Sequence, residues 1–326
     1  MKTSTIFKKS ILLAFIGFAA ISCSDDDSDP VTQPQTISAI AADTPNLSIL
    51  VQALDKAGLV ATLDGSGPFT VFAPTNEAFT AFLSANGYAN LDAVPTAALK
   101  EILLNHVVSG SVMSSALTTG YVKTLGKGAA STTNTMSMFV NTASGVVLNG
   151  GTANGGATVT TADIMASNGV IHVVNGVIGL PTVVNHAIAN PDFSTLVAAL
   201  TRDDQPDFAG ILSGTASSPF TVFAPTNTAF GNLLTELGAS GLADIDQVTL
   251  EKTLKYHVVT GANVLAASLT DDMSVTTFNG DSFTVNVTGG ARITDFNDRV
   301  SNIIATDVQA SNGVVHAIDK VLLPNL

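Results

Sequence analysis

The most constraining feature of this sequence is a stretch that occurs twice. Residues 68–76 and residues 219–227 both read PFTVFAPTN, at an offset of 151. Two further matches follow in the same order: HVV at 106–108 and 257–259, then ASNGVIH at 166–172 and ASNGVVH at 310–316. A unit of this length is far longer than a solenoid repeat, so the chain is predicted to contain two copies of one domain.

The residue pattern of the repeated stretch predicts a strand, a stop and a helix cap. Apolar β-branched and aromatic residues alternate with others up to a proline, which ends the strand, and Thr or Asn can then cap a helix. This explains the motif without a ligand. The residues predicted to have this structural role are Pro74, Thr75, Asn76, Pro225, Thr226 and Asn227.

A second predicted helix precedes each HVV motif. The helix Thr96–His106 places His106 on its apolar face at helical spacing, and the helix before His257 does the same. A histidine among apolar residues favours a buried, hydrogen-bonded role. The following valines are predicted to begin a strand.

The remainder of each copy is predicted to be β-rich. Short apolar segments between Gly and Asn turns fill residues 110–165, and each copy ends in a strand pair. We place the turns of these closing hairpins at Asn168-Gly169 and Asn312-Gly313. The length difference between the copies falls in 110–165 and 278–304, where we expect the two domains to differ in ligand.

The predicted fold class is α+β. Each domain is expected to be a twisted β-sandwich or wedge with several short helices. The predicted bounds are 37–181 for domain 1 and 182–326 for domain 2, with a short, stiff junction between them.

Residues 1–22 are predicted to be a secretory signal peptide, with Lys2, Lys8 and Lys9 ahead of a short apolar run. Cys23 is the only cysteine and stands where a lipoprotein signal peptidase would cut, after a sequence that resembles a lipobox. Acyl chains on Cys23 would anchor the protein to a membrane. The alternative is a stray cysteine in an ordinary signal peptide.

Residues 23–36 are predicted to form the lipidated cysteine and a disordered tether, because Asp, Pro, Gln and Thr dominate there. The acidic run Ser24–Asp27 resembles the signal that sends lipoproteins of Bacteroidota to the outer face of the outer membrane. The alternative is a plain solvated spacer. We therefore expect a surface-exposed, outer-membrane location.

The charge balance narrows the choice of partners. Removal of residues 1–22 takes away three lysines and no acidic residue, so 10 basic residues face 26 acidic ones and the net charge is about −16. Nucleic acid is therefore not expected as a partner, since phosphate binding needs a basic patch. The same charge opposes adsorption to anionic lipid, so contact with the membrane is predicted only through the anchor.

The repeated motifs resemble those of fasciclin (FAS1) domains. The matching segments are Thr70–Phe79 and Thr221–Phe230, the HVV motifs, and Ser167–Pro181 with Ser311–Pro324. The resemblance covers residues 37–326. Fasciclin domains are mostly adhesion modules, so the resemblance implies binding rather than catalysis. We predict no cofactor.

In animal fasciclin domains a Tyr-His pair is associated with integrin-mediated adhesion. Tyr256-His257 matches this pair, whereas domain 1 has Asn105-His106 at the corresponding position. The resemblance makes these four residues candidates for partner binding. The alternative is that both histidines are buried and hold helix against sheet.

Some residue types also suggest a hydrolase triad and a calcium site. Ser167, His172 and Asp163, with Ser311, His316 and Asp307 in domain 2, have the residue types of a hydrolase triad, but no nucleophile-elbow motif accompanies them. The acidic turn of Asp295, Asn297 and Asp298 resembles part of a calcium loop that lacks its glycine and distal glutamate. We therefore predict no enzyme activity and no metal.

The sequence thus predicts a lipoprotein that uses tandem fasciclin domains to bind an extracellular protein or a cell-surface partner. The alternative is a polysaccharide-binding accessory of a surface glycan-uptake system. Trp is absent and there are only 3 Tyr, which opposes this alternative because sugar-binding platforms use such rings.

Overall fold

The structure is a computed structural model that describes residues 34–326. The predicted signal peptide, Cys23 and residues 24–33 of the predicted tether lie outside the described residues. In the part that is described, no single helix has both the length and the apolar character to cross a membrane. One sharply bent pair, Ile37–Asp43 with Pro45–Lys56, meets the criterion by length and composition alone.

Helices and strands follow one another in the same order in both domains, which confirms the predicted α+β class. Helices α1 to α10 are Ile37–Asp43, Ser48–Lys56, Val60–Leu63, Asn76–Ala85, Thr96–Leu104, Val183–Ala189, Ser194–Leu200, Phe208–Ser213, Asn227–Leu237 and Gln247–Tyr256. Strands β1 to β14 are Phe69–Pro74, Val107–Ser109, Gly120–Lys127, Thr135–Asn141, Val147–Leu148, Ala157–Ala166, Gly169–Val174, Phe220–Pro225, Val258–Thr260, Met273–Thr276, Ser282–Asn286, Arg292–Thr294, Val300–Ala310 and Gly313–Ile318.

The two sheets share one plan, in which the first and last strands of a domain are parallel neighbours. β1 pairs in parallel with β7, and β8 with β14, whereas the other pairings are antiparallel. In domain 1 the pair Val108 and Thr124 joins β2 to β3, and the strands β1 to β7 close into a barrel. In domain 2 the sheet has the order β10-β11-β12-β13-β14-β8-β9.

The central strand β1 explains why each domain has two cores. Val71 and Ala73 belong to the cluster that includes Phe79 of the helical layer, while Phe72 belongs to the cluster inside the barrel with Met138. A strand that is buried on both faces must be apolar on both. Each large side chain so buried stabilises the fold by about 1.5–3 kcal/mol.

The closing hairpins form, but their turns lie one residue earlier than predicted. Ala166 pairs with Gly169, so the turn residues are Ser167-Asn168 and Gly169 is the first residue of β7. Asn312-Gly313 shows the same shift. The glycine is needed for space: a Cβ at Gly169 would lie 2.0 Å from the Phe69 carbonyl oxygen.

The two domains contact each other along β3 and β4 of domain 1 and β13 of domain 2. The Lys123 ammonium donates to the Asp307 carbonyl oxygen at 2.8 Å, and the Gln309 amide donates to the Ser137 hydroxyl at 3.1 Å. Tyr121 packs against the core of domain 2. Burial at this interface lowers the pKa of Lys123. The two domains are therefore held together by specific contacts as well as by the polypeptide that links them.

Candidate functional site

His106 and His257 occupy equivalent buried positions just after α5 and α10. The Nδ1 atom of His106 lies 2.7 Å from the Ile102 carbonyl oxygen, and its Nε2 atom accepts the Ile178 amide at 2.8 Å. His257 makes the same two bonds at 2.7 Å and 2.9 Å. Because a backbone amide can only donate, Nε2 is unprotonated and Nδ1 carries the proton.

Burial keeps both rings neutral. Desolvation lowers the pKa of His106 and of His257 from 6.5 to about 4. Protonation would place a charge in the core and remove the acceptor of the bound amide. Both histidines therefore hold the segment that follows the last strand of each domain against a helix end.

Tyr256 and Asn105, at matching positions before these histidines, are also fully buried. The Tyr256 hydroxyl donates to the Ser282 carbonyl oxygen at 2.8 Å. The Asn105 side chain donates to the Gly179 carbonyl oxygen at 2.8 Å and accepts the Thr124 hydroxyl at 3.0 Å. The structure thus gives Tyr256, Asn105 and the two histidines hydrogen-bonding roles inside the fold, where all four side chains are buried.

The repeated PTN motif joins helix to helix. Thr75 caps α4 through its hydroxyl oxygen, as Thr226 caps α9. Asn76 accepts the Ile49 amide at 2.9 Å, which ties α2 to α4, and Asn227 makes the equivalent bond in domain 2. The predicted cap is thus made by Thr75 and Thr226, whereas Asn76 and Asn227 bind a neighbouring helix.

The hairpin asparagines fasten the first helices to the sheet. The buried Asn168 side chain accepts the Ile37 amide at 3.0 Å and donates to the carbonyl oxygens of Leu63 and Gly65. Asn312 makes the same set of bonds in domain 2. Each therefore connects a hairpin to two separate helices.

The Ser, His and Asp residues of domain 2 are not arranged as a triad. The His316 Nε2 atom lies 2.8 Å from the Val264 carbonyl oxygen, and its Nδ1 atom accepts the Asp307 amide at 3.4 Å. The Ser311 hydroxyl donates to the Leu180 carbonyl oxygen at 3.3 Å. The domain 1 histidine is likewise engaged by backbone groups. A histidine so occupied has no nitrogen free to activate a serine.

The acidic turn at Asp295 fastens the end of domain 2. One carboxylate oxygen accepts the Asn297 and Arg299 amides at 3.0 Å each. The other accepts the Leu323 amide at 2.9 Å and faces the Arg299 guanidinium at 3.3 Å. Across residues 34–326, no three His, Cys, Asp or Glu side chains are grouped to hold a metal ion.

Sequence reasoning missed an apolar cavity between α6, α7 and α8 of domain 2. Its free volume is about 50 Å³. The buried side chains of Val183, Leu212 and Val315 line its interior, and Ile188, which is 50% exposed, also lines it. No local sequence pattern indicates it, because its lining residues come from three helices and two strands.

The sequence profile of the fasciclin domain family matches residues 45–181 and 191–324. Protein sll1483 of Synechocystis is 40% identical over 143 residues, which are 44% of this chain and 73% of that protein. Periostin of Homo sapiens is 29% identical over 286 residues, 83% of this chain and 30% of that protein. The transforming growth factor-beta-induced protein ig-h3 of Sus scrofa is 30% identical over 269 residues, 81% of this chain and 36% of that protein. The chain thus spans about a third of these two animal proteins.

A FAS1 domain pair from the insect cell adhesion molecule fasciclin I matches with a TM-score of 0.52 and 20% identity, covering 85% of this chain and 97% of that chain. At this identity the match shows the fold, two FAS1 domains in tandem. Because the family profile covers most of both halves, the chain belongs to the fasciclin domain family.

Proposed function

We propose that this protein is an adhesion or interaction protein of the cell surface, which binds an extracellular protein or a cell-surface partner. The observation that carries the proposal is the tandem itself: two fasciclin domains held as a pair by the contacts of Lys123 and Ser137. Two domains on one chain can engage two sites of a partner, which raises avidity without strong single sites. Fasciclin domains occur in cell-adhesion proteins, among them insect fasciclin I.

The experiment is a binding panel of extracellular matrix proteins and bacterial cells, with and without calcium. Saturable binding to a protein or to a cell surface supports the proposal. If the protein binds neither, the proposal is wrong. Tyr256→Ala and His257→Ala are used only as folding controls, because both side chains are buried. A lower melting temperature is expected for both.

We further propose that Cys23 is lipidated and anchors the domains to the outer membrane, facing outward. The support is the apolar run before Cys23 and the acidic run after it. Incorporation of radiolabelled palmitate into the wild type, and its loss in Cys23→Ala, is the expected result. Surface exposure is tested by protease treatment of intact cells. Label retained in Cys23→Ala contradicts lipidation of Cys23. Full protease resistance in intact cells contradicts the outward-facing location.

A polysaccharide partner is the second candidate, and one observation favours it. A cleft of about 490 Å³ lies between the domains, within the usual size of small-molecule sites. It is lined by Tyr121, Asn141, Asn190 and Asp192, which offer a ring with hydroxyl, amide and carboxylate groups. Titration with neutral and acidic polysaccharides distinguishes this candidate: saturable binding that is lost in Asn190→Ala supports it.

A further inference from the structure

The internal repeat provides a reference for each position of domain 2. The Ile49 amide binds Asn76, and the Thr195 amide binds the equivalent Asn227. Ile49 and Thr195 are therefore equivalent, and the first two helices of the domains align with an offset of 146 in residue number. The Leu63 carbonyl oxygen accepts from Asn168, and the Leu212 carbonyl oxygen accepts from the equivalent Asn312. The third helices therefore align with an offset of 149. Domain 2 therefore carries three additional residues in this segment, beside the cavity.

The mouth of the cavity is more apolar than the same place in domain 1. Ile188 stands where domain 1 has Ala42, and Val184 stands where it has Ser38. Ile188 is 50% exposed. Val184 packs partly against the core of domain 2, so the two side chains together form an apolar rim beside the cavity.

Inside the cavity, three aliphatic side chains of domain 2 are shorter than their counterparts in domain 1. The matched pairs, domain 1 first, are Ile37 and Val183, Val60 and Ala209, and Ile171 and Val315. Phe208 replaces Leu59 along one wall. The cavity volume of about 50 Å³ is far below the roughly 150 Å³ of a cavity that holds benzene. It suits the end of one aliphatic side chain.

The segment that contains the additional residues is acidic. Thr201–Asp207 has three aspartates and one arginine, whereas Asp55–Gly58 of domain 1 has one aspartate and one lysine. Arg202 is bound to the Asp204 carboxylate at 2.6 Å, and the other two aspartates are exposed. Thr201 and Phe208, which bracket these aspartates in the sequence, line the cavity, so the acidic segment adjoins it.

From these three differences we infer that the cavity is a partner-binding site of domain 2. It accepts one Leu, Ile or Val side chain from a protein segment that carries Lys or Arg beside it. This inference rests on the proposed adhesion to a protein. The aspartates attract the basic residues and speed their association, while they repel fatty-acid carboxylates and anionic lipid.

The test uses the purified protein and short peptides. The probe is acetyl-Lys-Lys-Leu-Lys-Lys-amide, and the matched peptides replace Leu by Ser or each Lys by Glu. Binding is followed by NMR shifts of the Val183 methyl groups, which line the cavity and are present in every variant. We expect the Leu peptide to bind at least about tenfold more tightly than the Ser peptide, and the Glu peptide not to bind up to about 5 mM. Equal binding of the Leu and Ser peptides overturns the inference.

Matched variants locate the site. Ile188→Asp is expected to weaken binding of the Leu peptide at least about tenfold. Ala42→Asp, its counterpart in domain 1, should leave the binding of this peptide unchanged. Ala209→Val restores the residue type of domain 1, partly fills the cavity and should weaken binding in a folded protein. Asp203→Asn should flatten the salt dependence. Unchanged affinity in both Ile188→Asp and Ala209→Val contradicts the assignment.

Two further results separate this inference from the proposed function. Preferential binding of dodecanoate or phosphatidylglycerol vesicles over the Leu peptide would make the cavity a lipid site and overturn the inference. Matrix or cell binding that persists undiminished in Ile188→Asp would leave adhesion standing and remove the cavity from it. Parallel loss of matrix binding and peptide binding in that variant supports both.

Discussion

Acid pH is expected to destabilise this protein through its buried neutral histidines. His106, His186 and His257 are buried, and desolvation lowers the pKa of each from 6.5 to about 4. A histidine with a depressed folded-state pKa contributes its full stability above the unfolded pKa. That stability is lost as the pH falls toward 4, because the unfolded chain takes up the proton first. The sensitive window is therefore pH 4 to 6.5.

The magnitude follows from the two pKa values. At pH 5 the unfolded histidine is almost fully protonated and the folded one is mostly neutral, so each ring accounts for about 2 kcal/mol of lost unfolding free energy. The loss approaches about 3 kcal/mol for each below pH 4. Acid also reduces the net negative charge of the chain and so relieves repulsion. The decisive quantity is therefore the difference between the wild type and a single variant.

The assay is urea unfolding of the wild type and His257→Gln at pH 7.5 and pH 5, followed by circular dichroism. Glutamine keeps a polar side chain and cannot take up a proton. The variant should be less stable at pH 7.5, yet it should lose about 2 kcal/mol less than the wild type on going to pH 5. His106→Gln repeats the test in domain 1. If the variants and the wild type lose the same free energy, the buried neutral ring is not the cause.

Three further changes test the structural roles of the motifs. Asn312→Ala leaves one buried amide and two carbonyl oxygens without their partner and should cost about 3 kcal/mol in urea unfolding, whereas no loss would show that water replaces the side chain. Thr226→Ala removes the cap of α9 and should cost about 1 kcal/mol, while Thr226→Ser should restore most of it. Gly169→Ala puts a Cβ against the Phe69 carbonyl oxygen and should lower the melting temperature of domain 1 strongly; an unchanged temperature would argue against the close approach of β1 and β7.

The repeated stretches allowed much of the fold to be predicted from the sequence. Alternation in PFTVFAPTN predicts the strand, and proline followed by threonine predicts its end and the cap, because these effects act within a few residues. The position of the closing turn was wrong by one residue. Asn-Gly is typical of a two-residue turn, but Gly169 is required by the approach of β1, a contact between segments far apart in the chain.

The candidate site was less predictable for a related reason. The Tyr-His pair was a candidate for binding through its resemblance to animal domains, while its helical spacing favoured burial, and the structure buries both side chains. The cavity of domain 2 depends on side chains from three helices and two strands. No local pattern brings these together. Their joint difference from domain 1 becomes visible only when equivalent hydrogen bonds align the two repeats.

This contrast indicates where the specificity of such a pair resides. Asn76, Asn168 and His106 and their counterparts in domain 2 use their polar atoms to join helices and strands, so changes there would cost stability in either domain. Surface positions are free of that constraint. In domain 2 they are apolar around a cavity and acidic beside it, whereas domain 1 has the smaller or polar Ala42 and Ser38 at the matching positions. The repeated motifs thus maintain one scaffold twice, and the residues outside them distinguish the two copies. Exchanging Ala42 and Ile188 between the domains should accordingly weaken peptide binding by domain 2 while leaving both scaffolds folded.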